Sequence, residues 1–119
     1  MIHLDDAIEK AEGYLFLGLA EEAWETLEDL STDTKNNQRV LELRLECLCV
    51  LKEWQKAYFL GVGLTVALPE SAMIRFWLSC ALAQIGQIKE ARAHAREAGM
   101  LDPKLRLRIL EEPALAALW

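Results

Sequence analysis

The stretch GQIKEARAHAREA, residues 86–98, decides the fold because its pattern occurs twice earlier in the chain. The matching segments are GLAEEAWETLEDL (18–30) and KEWQKAYFLGVGL (52–64), so successive copies start 34 residues apart. Alanines and prolines recur at the same interval: Ala23, Ala57 and Ala91, then Pro69 and Pro103. A fixed interval of this length, with two helices in each unit, is typical of helical repeat proteins.

Each copy carries a narrow apolar stripe at helical spacing. The stripes are Ala20, Ala23, Leu27 and Leu30; Ala57, Gly61, Leu64 and Leu68; and Ala91, Ala95 and Ala98. Their small side chains would let neighbouring helices approach closely. Because strand-forming residues are sparse and helix formers dominate, the sequence predicts an all-α fold.

Residues that stop or start helices fall between these segments. Gly18 and Gly86 stand where a left-handed residue would end the first helix of a pair. Lys52 holds that place in the middle copy, so its turn either closes differently or carries strain. Two helix starts also have a cap, Ser71 before the fifth helix and Asp102-Pro103 before a seventh, which should begin near Lys104.

The last segment, KLRLRILEEPALAALW (104–119), is predicted to cap the apolar face that the third helix pair leaves open. Pro113 lies inside it and should break or kink that helix, because a residue before proline disfavours helical geometry.

On these features the chain resembles the tetratricopeptide repeat family over about residues 5–103. The resemblance implies one domain over residues 1–119, a right-handed α-solenoid of antiparallel helix pairs. Its repeats would span about 4–37, 38–71 and 72–103, followed by a capping helix at 104–119. The middle repeat departs most from the family pattern, since it lacks the turn glycine and has Gly61 where an aromatic residue or alanine is usual.

The resemblance further implies a concave groove lined by the first helix of each repeat. The groove residues would be Asp5, Ile8, Glu12, Leu15, Arg39, Glu42, Leu43, Glu46, Cys49, Met73, Phe76, Trp77 and Cys80. Such a surface is apolar with an acidic border, so the implied partner is a protein or peptide segment with apolar anchors and Lys or Arg flanks. The alternative is that the apolar members pack between helices and that Glu42 and Glu46 form a solvated face paired with Arg39 or Arg44.

Charge is divided unevenly along the chain. Residues 1–34 carry a net charge of −9, residues 35–69 carry +2 and residues 70–119 carry +1, which gives −6 in total. This distribution fits basic or polarised protein partners, or head-to-tail contact between copies. A well-solvated acidic face at one end of the chain explains it equally well. An acidic chain with dispersed basic residues does not fit a nucleic-acid binder.

The expected setting is cytoplasmic, without membrane attachment. The start of the chain lacks the pattern of a secretory signal, and its longest apolar runs are too short to span a bilayer. An odd number of cysteines, three, then predicts reduced thiols rather than disulfides.

Three clusters that could have carried chemistry have simpler interpretations. Cys47 and Cys49 point about 200° apart on a helix, so they cannot chelate one metal ion. Cys80 and His94 could pair as nucleophile and base, but nothing orients the histidine and no catalytic motif occurs. The sequence therefore predicts no catalytic residue, no metal and no cofactor.

The third cluster is Arg92, His94 and Arg96. Arg92 and His94 flank the alanine stripe of their helix on opposite sides and Arg96 lies well away from it, which predicts an outer, solvated face. The leading hypothesis is then a non-catalytic interaction module, an adaptor or assembly factor that binds a protein segment in the groove. The alternatives are a dedicated chaperone for an aggregation-prone subunit, as in secretion systems, and a self-assembling structural protein.

Overall fold

The structure is a computed structural model that describes residues 2–119, and all regular secondary structure in that range is helical. The α-helices are α1 (Leu4–Phe16), α2 (Ala20–Glu28), α3 (Gln38–Val50), α4 (Trp54–Ala67), α5 (Ala72–Gln84), α6 (Ile88–Leu101) and α7 (Arg106–Glu111). Short 3₁₀ helices occupy Thr34–Asn36, Pro103–Leu105 and Pro113–Leu118. The all-α prediction is confirmed. None of the described helices has the length and apolar character that crossing a bilayer requires.

The interval seen in the sequence recurs in the helix boundaries. The first helices of the three pairs begin 34 residues apart, at Leu4, Gln38 and Ala72. The second helices keep the same spacing, at Ala20, Trp54 and Ile88.

Side-chain caps explain two of these starts. The Asn37 side chain accepts hydrogen bonds from the backbone N–H groups of Arg39 and Val40, at 2.9 and 3.2 Å. The Ser71 hydroxyl accepts one from Ile74 N–H at 3.2 Å, as its position before α5 predicts.

The turns inside the three helix pairs share a left-handed residue. Gly18 and Gly86 have φ values of 77° and 89°, which glycine adopts without steric cost. Lys52 has φ 60° and is the one non-glycine residue with positive φ among residues 2–119. Lys52 therefore keeps the left-handed geometry of the other two turns, although a residue with a side chain adopts it at a cost. This is the strained alternative expected for the middle turn.

The chain divides into two compact units, and the first ends at Lys52. In this N-terminal unit α1 packs against α2 and α3, and their apolar faces form one core. The buried core residues are Ala7, Ala11, Ala23, Leu27, Leu30, Val40, Leu43 and Cys47. The α2 stripe predicted from the sequence is thus buried.

The C-terminal unit, Glu53–Trp119, is organised around α5. That helix contacts α4, α6 and the 3₁₀ helix Pro113–Leu118, and all its residues from Phe76 to Ala83 are buried. Gly61 of α4 lies so close to α5 that an added Cβ would be 3.0 Å from Leu78 Cδ1 and 3.2 Å from its Cβ. A small residue is therefore required at this point, as its place in the predicted stripe indicates.

The last segment begins and ends close to the predicted positions. The Asp102 side chain accepts a hydrogen bond from Lys104 N–H at 3.0 Å, and Pro103 opens a 3₁₀ turn that leads into α7 at Arg106. The helix ends at Glu111, and Pro113 starts the 3₁₀ helix, which confirms the predicted break. The assignment of residues 1–119 to a single domain stays a prediction.

Candidate functional site

The predicted groove residues of the N-terminal unit include carboxylates that already have a cationic partner. The Arg39 guanidinium donates to Glu12 Oε2 from Nε at 3.0 Å and from Nη2 at 2.6 Å. Its Nη1 lies 3.4 Å from Glu42 Oε1, and Glu42 also accepts a hydrogen bond from Gln38 Nε2 at 3.2 Å. The acidic border is therefore neutralised in part within the unit itself, which reduces its attraction for a basic partner.

Burial limits the same surface further. Glu42, Leu43 and Cys49 are buried, whereas Ile8, Leu15, Arg39 and Glu46 are partly exposed and Asp5 and Glu12 are exposed. In α1, therefore, the predicted acidic residues Asp5 and Glu12 are accessible, and the predicted apolar residues Ile8 and Leu15 are partly accessible.

In the C-terminal unit, the predicted groove residues of α5 are covered by the end of the chain. Phe76 and Cys80 are fully buried, Trp77 is nearly so, and Met73 alone is partly exposed. The Arg108 guanidinium of α7 lies over the Phe76 ring at 4.8 Å and the Trp77 ring at 5.2 Å. These aromatic side chains pack inside the unit, which is the alternative that their helical spacing left open.

The C-terminal 3₁₀ helix is held on this unit by hydrogen bonds to its backbone. Gln84 Nε2 at the end of α5 donates to Ala114 O at 2.9 Å. The guanidinium of Arg92 in α6 donates to Leu118 O from Nε at 3.0 Å and from Nη2 at 2.6 Å. Leu115 and Leu118 are completely buried beneath these contacts. Arg92 thus contributes to the fold as well as to the surface.

The groups considered for nucleophilic or metal chemistry lie in unreactive surroundings. Burial raises the pKa of the Cys80 thiol to about 12, and it does the same for Cys47. Such thiols are protonated at neutral pH and are poor nucleophiles and poor metal ligands. Within residues 2–119, no three His, Cys, Asp or Glu side chains form a metal-binding group.

His94 is engaged with an arginine. Arg75 Nη1 lies 3.3 Å from His94 Nδ1, and since a guanidinium only donates, the imidazole nitrogen accepts. Burial of the ring, and next the Arg75 cation, lower the pKa of His94 below its ordinary value. The histidine is therefore a neutral acceptor at neutral pH, and its partner is not Cys80.

The C-terminal unit has a cavity of about 590 Å³ between α6, α7 and Trp119, called here the arginine-rimmed pocket. Its lining residues are Arg92, Ala93, Ala95, Arg96, Gly99, Met100, Arg106, Ile109, Leu110 and Trp119. Met100, Leu110 and Trp119 are all about 60% exposed, so the pocket presents large apolar side chains to solvent. Its size lies in the usual range for ligand sites.

Close packing at Gly99 and a backbone hydrogen bond shape the pocket. Arg106 Nε donates to Gly99 O at 3.0 Å and so holds α7 against α6. A Cβ at Gly99 would be 3.4 Å from Arg106 Cγ and 3.6 Å from Ile109 Cδ1, at the near limit of ordinary contact. The floor is formed by the buried residues Ala95 and Gly99, one helical turn apart.

The rim of the pocket is cationic. Arg92, Arg96 and Arg106 line it, and none of the ion pairs found within residues 2–119 involves any of them. Arg92 and Arg106 each use part of their guanidinium on a backbone carbonyl, whereas no hydrogen bond within those residues engages Arg96. An apolar cavity bordered by cations is suited to an apolar anchor beside a carboxylate.

Sequence reasoning did not find this pocket and placed Arg92 and Arg96 on a solvated face. Both residues are exposed, but they lie one helical turn apart and border the same cavity, while His94 turns to Arg75. The sequence does contain a signal for the pocket, because Arg92 and Arg96 are four residues apart, as are Ala95 and Gly99.

Comparison with models of known protein families, with curated proteins and with solved structures finds no match to this chain.

Proposed function

We propose that this chain is a non-catalytic protein-interaction module built from tetratricopeptide-like helix pairs in a right-handed solenoid. The repeat proposal is supported by helix starts at intervals of 34 residues and by left-handed residues at Gly18, Lys52 and Gly86. It is also supported by the buried small residues of α2, α4 and α6. An adaptor or assembly factor of this kind needs an accessible surface that recognises a partner.

We propose that the arginine-rimmed pocket is that surface. It combines exposed apolar side chains, which are unfavourable in water, with three arginines that form no ion pair within residues 2–119. A ligand would cover the apolar side chains and supply carboxylates to the arginines. The ligand that fits is a protein segment with an apolar anchor and acidic flanks, because carboxylates pair well with guanidinium groups.

The sequence predicted a partner with basic flanks, and that partner would bind a different surface, around Glu12 and Glu42. Arg39 already pairs with both carboxylates there, so the unpaired charge of the pocket gives the stronger case. The basic partner stays a prediction, and the experiment below includes it. A non-catalytic role is supported by the buried, protonated thiols and by the engagement of His94 with Arg75.

The proposal is tested with three labelled synthetic peptides that share Phe and Leu anchors and differ only in their flanks, which are Glu, Lys or Gln. Binding to the full chain is measured by fluorescence anisotropy at low and high salt. The Glu-flanked peptide should bind about tenfold tighter than the Lys-flanked one at low salt, and the preference should shrink as salt screens the charges.

Variants assign the binding to the pocket. Arg96→Glu should weaken binding of the Glu-flanked peptide about fivefold, since one exposed ion pair is worth up to ~1 kcal/mol. Lys89→Glu is the matched control, because it makes the same charge change on α6 at an exposed residue outside the pocket. Equal loss in both variants, or equal binding of all three peptides, would refute the pocket as the site.

A further inference from the structure

The N-terminal unit exposes an apolar turn that has the chemistry of a ligand for the arginine-rimmed pocket. Between α1 and α2, Phe16 is 89% exposed and Leu17 is 67% exposed, and Leu19 also reaches solvent. Gly18, with φ 77°, fixes the geometry of this turn. Adjacent large apolar side chains held outward on a defined turn are unusual for a free surface and are typical of contact sites.

Carboxylates flank the turn on its α2 side. Glu21 and Glu22 lie in the first turn of α2, both are exposed, and neither takes part in the ion pairs of the described residues. They belong to the segment 1–34, which carries ten acidic residues and one basic residue. The turn therefore offers an apolar anchor beside negative charge, and the pocket offers an apolar cavity beside positive charge.

We propose that the occupant of the pocket is the α1–α2 turn, residues 16–22, of a second copy of this chain. In the contact, Phe16 and Leu17 enter the cavity between α6 and α7, and Glu21 and Glu22 face Arg96 and its neighbours on the rim. This inference rests on the proposed function of the pocket and names its partner. Charge complementarity between the two ends of the chain orients the copies head to tail.

A head-to-tail contact has a consequence for assembly. The two contacting patches are different, so each bound copy still presents one free turn or one free pocket, and association continues into an open chain or closes into a ring. We expect a contact made by one turn in one pocket to be smaller than the interface of a stable dimer, so association should be weak, grow with concentration and fall with salt.

Sedimentation velocity of the full chain tests the inference. The weight-average sedimentation coefficient should rise with protein concentration at low salt and return toward the monomer value at high salt. A turn variant, Phe16→Ser with Leu17→Ser, and a pocket variant, Arg96→Glu, should each associate less than the wild type at the same concentration, and the loss for Arg96→Glu should be about fivefold. Both alter exposed residues, so circular dichroism should show unchanged helix content, and Leu110→Glu serves as a second pocket variant.

Mixing the two variants gives the most specific result. The turn variant keeps a functional pocket and the pocket variant keeps a functional turn, so the mixture should form dimers that cannot grow further. A contact in which the turn of one copy meets the turn of the other, or pocket meets pocket, does not predict this pattern. A mixture that stays monomeric, or a wild-type chain that is monomeric at every concentration and salt level, overturns the inference.

The failure of this inference can be told apart from failure of the proposed function. A monomeric chain that still binds the Glu-flanked peptide through Arg96 would reject the second copy as partner and keep the pocket as a protein-binding site. If the inference holds, a synthetic peptide of residues 12–22 should compete with the Glu-flanked peptide. The same peptide with Ser at the positions of Phe16 and Leu17 should not compete.

Discussion

Replacement of Lys52 by glycine should stabilise the protein, although glycine usually destabilises. Lys52 has φ 60°, a left-handed conformation that costs a residue with a side chain about 1–2 kcal/mol. Glycine avoids that cost but loses about 0.5–1 kcal/mol through the greater freedom of the unfolded chain. The net expectation for Lys52→Gly is a gain of about 0.5–1 kcal/mol in the free energy of unfolding.

Urea unfolding followed by circular dichroism measures this gain. With a slope of about 2 kcal/mol per molar urea, the midpoint should rise by about 0.3–0.5 M at an unchanged slope. Lys56→Gly is the matched control, since Lys56 is exposed within α4 and the same substitution there should cost about 1 kcal/mol. Gly86→Lys at the equivalent turn should lower the midpoint. If Lys52→Gly destabilises as Lys56→Gly does, Lys52 is not strained and the equivalence of the three turns fails.

Three further outcomes follow from local geometry. In α4, Gly63→Ala should raise the free energy of unfolding by about 0.5–1 kcal/mol, because a Cβ there meets nothing within 4 Å. Gly61→Ala should raise it less or lower it, because α5 lies against that position. The urea midpoints of the two variants test this difference. Since folding lowers the pKa of His94 below 6.5, the unfolded chain takes up this proton first, so stability is lost as pH falls from about 7 toward 5. The variant His94→Gln should lose less over that range, as thermal unfolding at each pH will show. The thiols of Cys47 and Cys80, with pKa values raised to about 12, should react with an aromatic disulfide reagent only after denaturant is added; rapid reaction of the native chain would contradict their burial.

The features that the sequence predicted well are those with local causes. Gly18 and Gly86 end their helices because glycine adopts positive φ freely, and Ser71 and Asp102 begin theirs because a short polar side chain caps nearby N–H groups. Each of these signals acts over a few residues, so the helix boundaries follow from them directly.

The accessible surface could not be predicted in the same way because distant parts of the chain determine it. The sequence marks Phe76 and Trp77 as apolar residues of a helix, but only the folded chain brings Arg108 over their rings. The pocket likewise depends on where α7 and Trp119 lie beside α6, which is fixed by hydrogen bonds such as the one from Arg92 to Leu118, 26 residues along the chain. An apolar pattern marks which residues avoid water, but it does not identify the segment that covers them.

The arginines of the pocket show how structural and binding roles can be separated. Arg92 donates two hydrogen bonds to Leu118 O and Arg106 donates one to Gly99 O, so replacing either changes the walls of the pocket together with its charge. Arg96 lines the same cavity without such a bond, and it is exposed. Substitution of Arg96 therefore removes charge while the walls stay in place, which makes it the residue whose effect on binding can be interpreted directly. A loss of binding seen for Arg92 and Arg106 but not for Arg96 would mean that the shape of the pocket, rather than its charge, selects the partner.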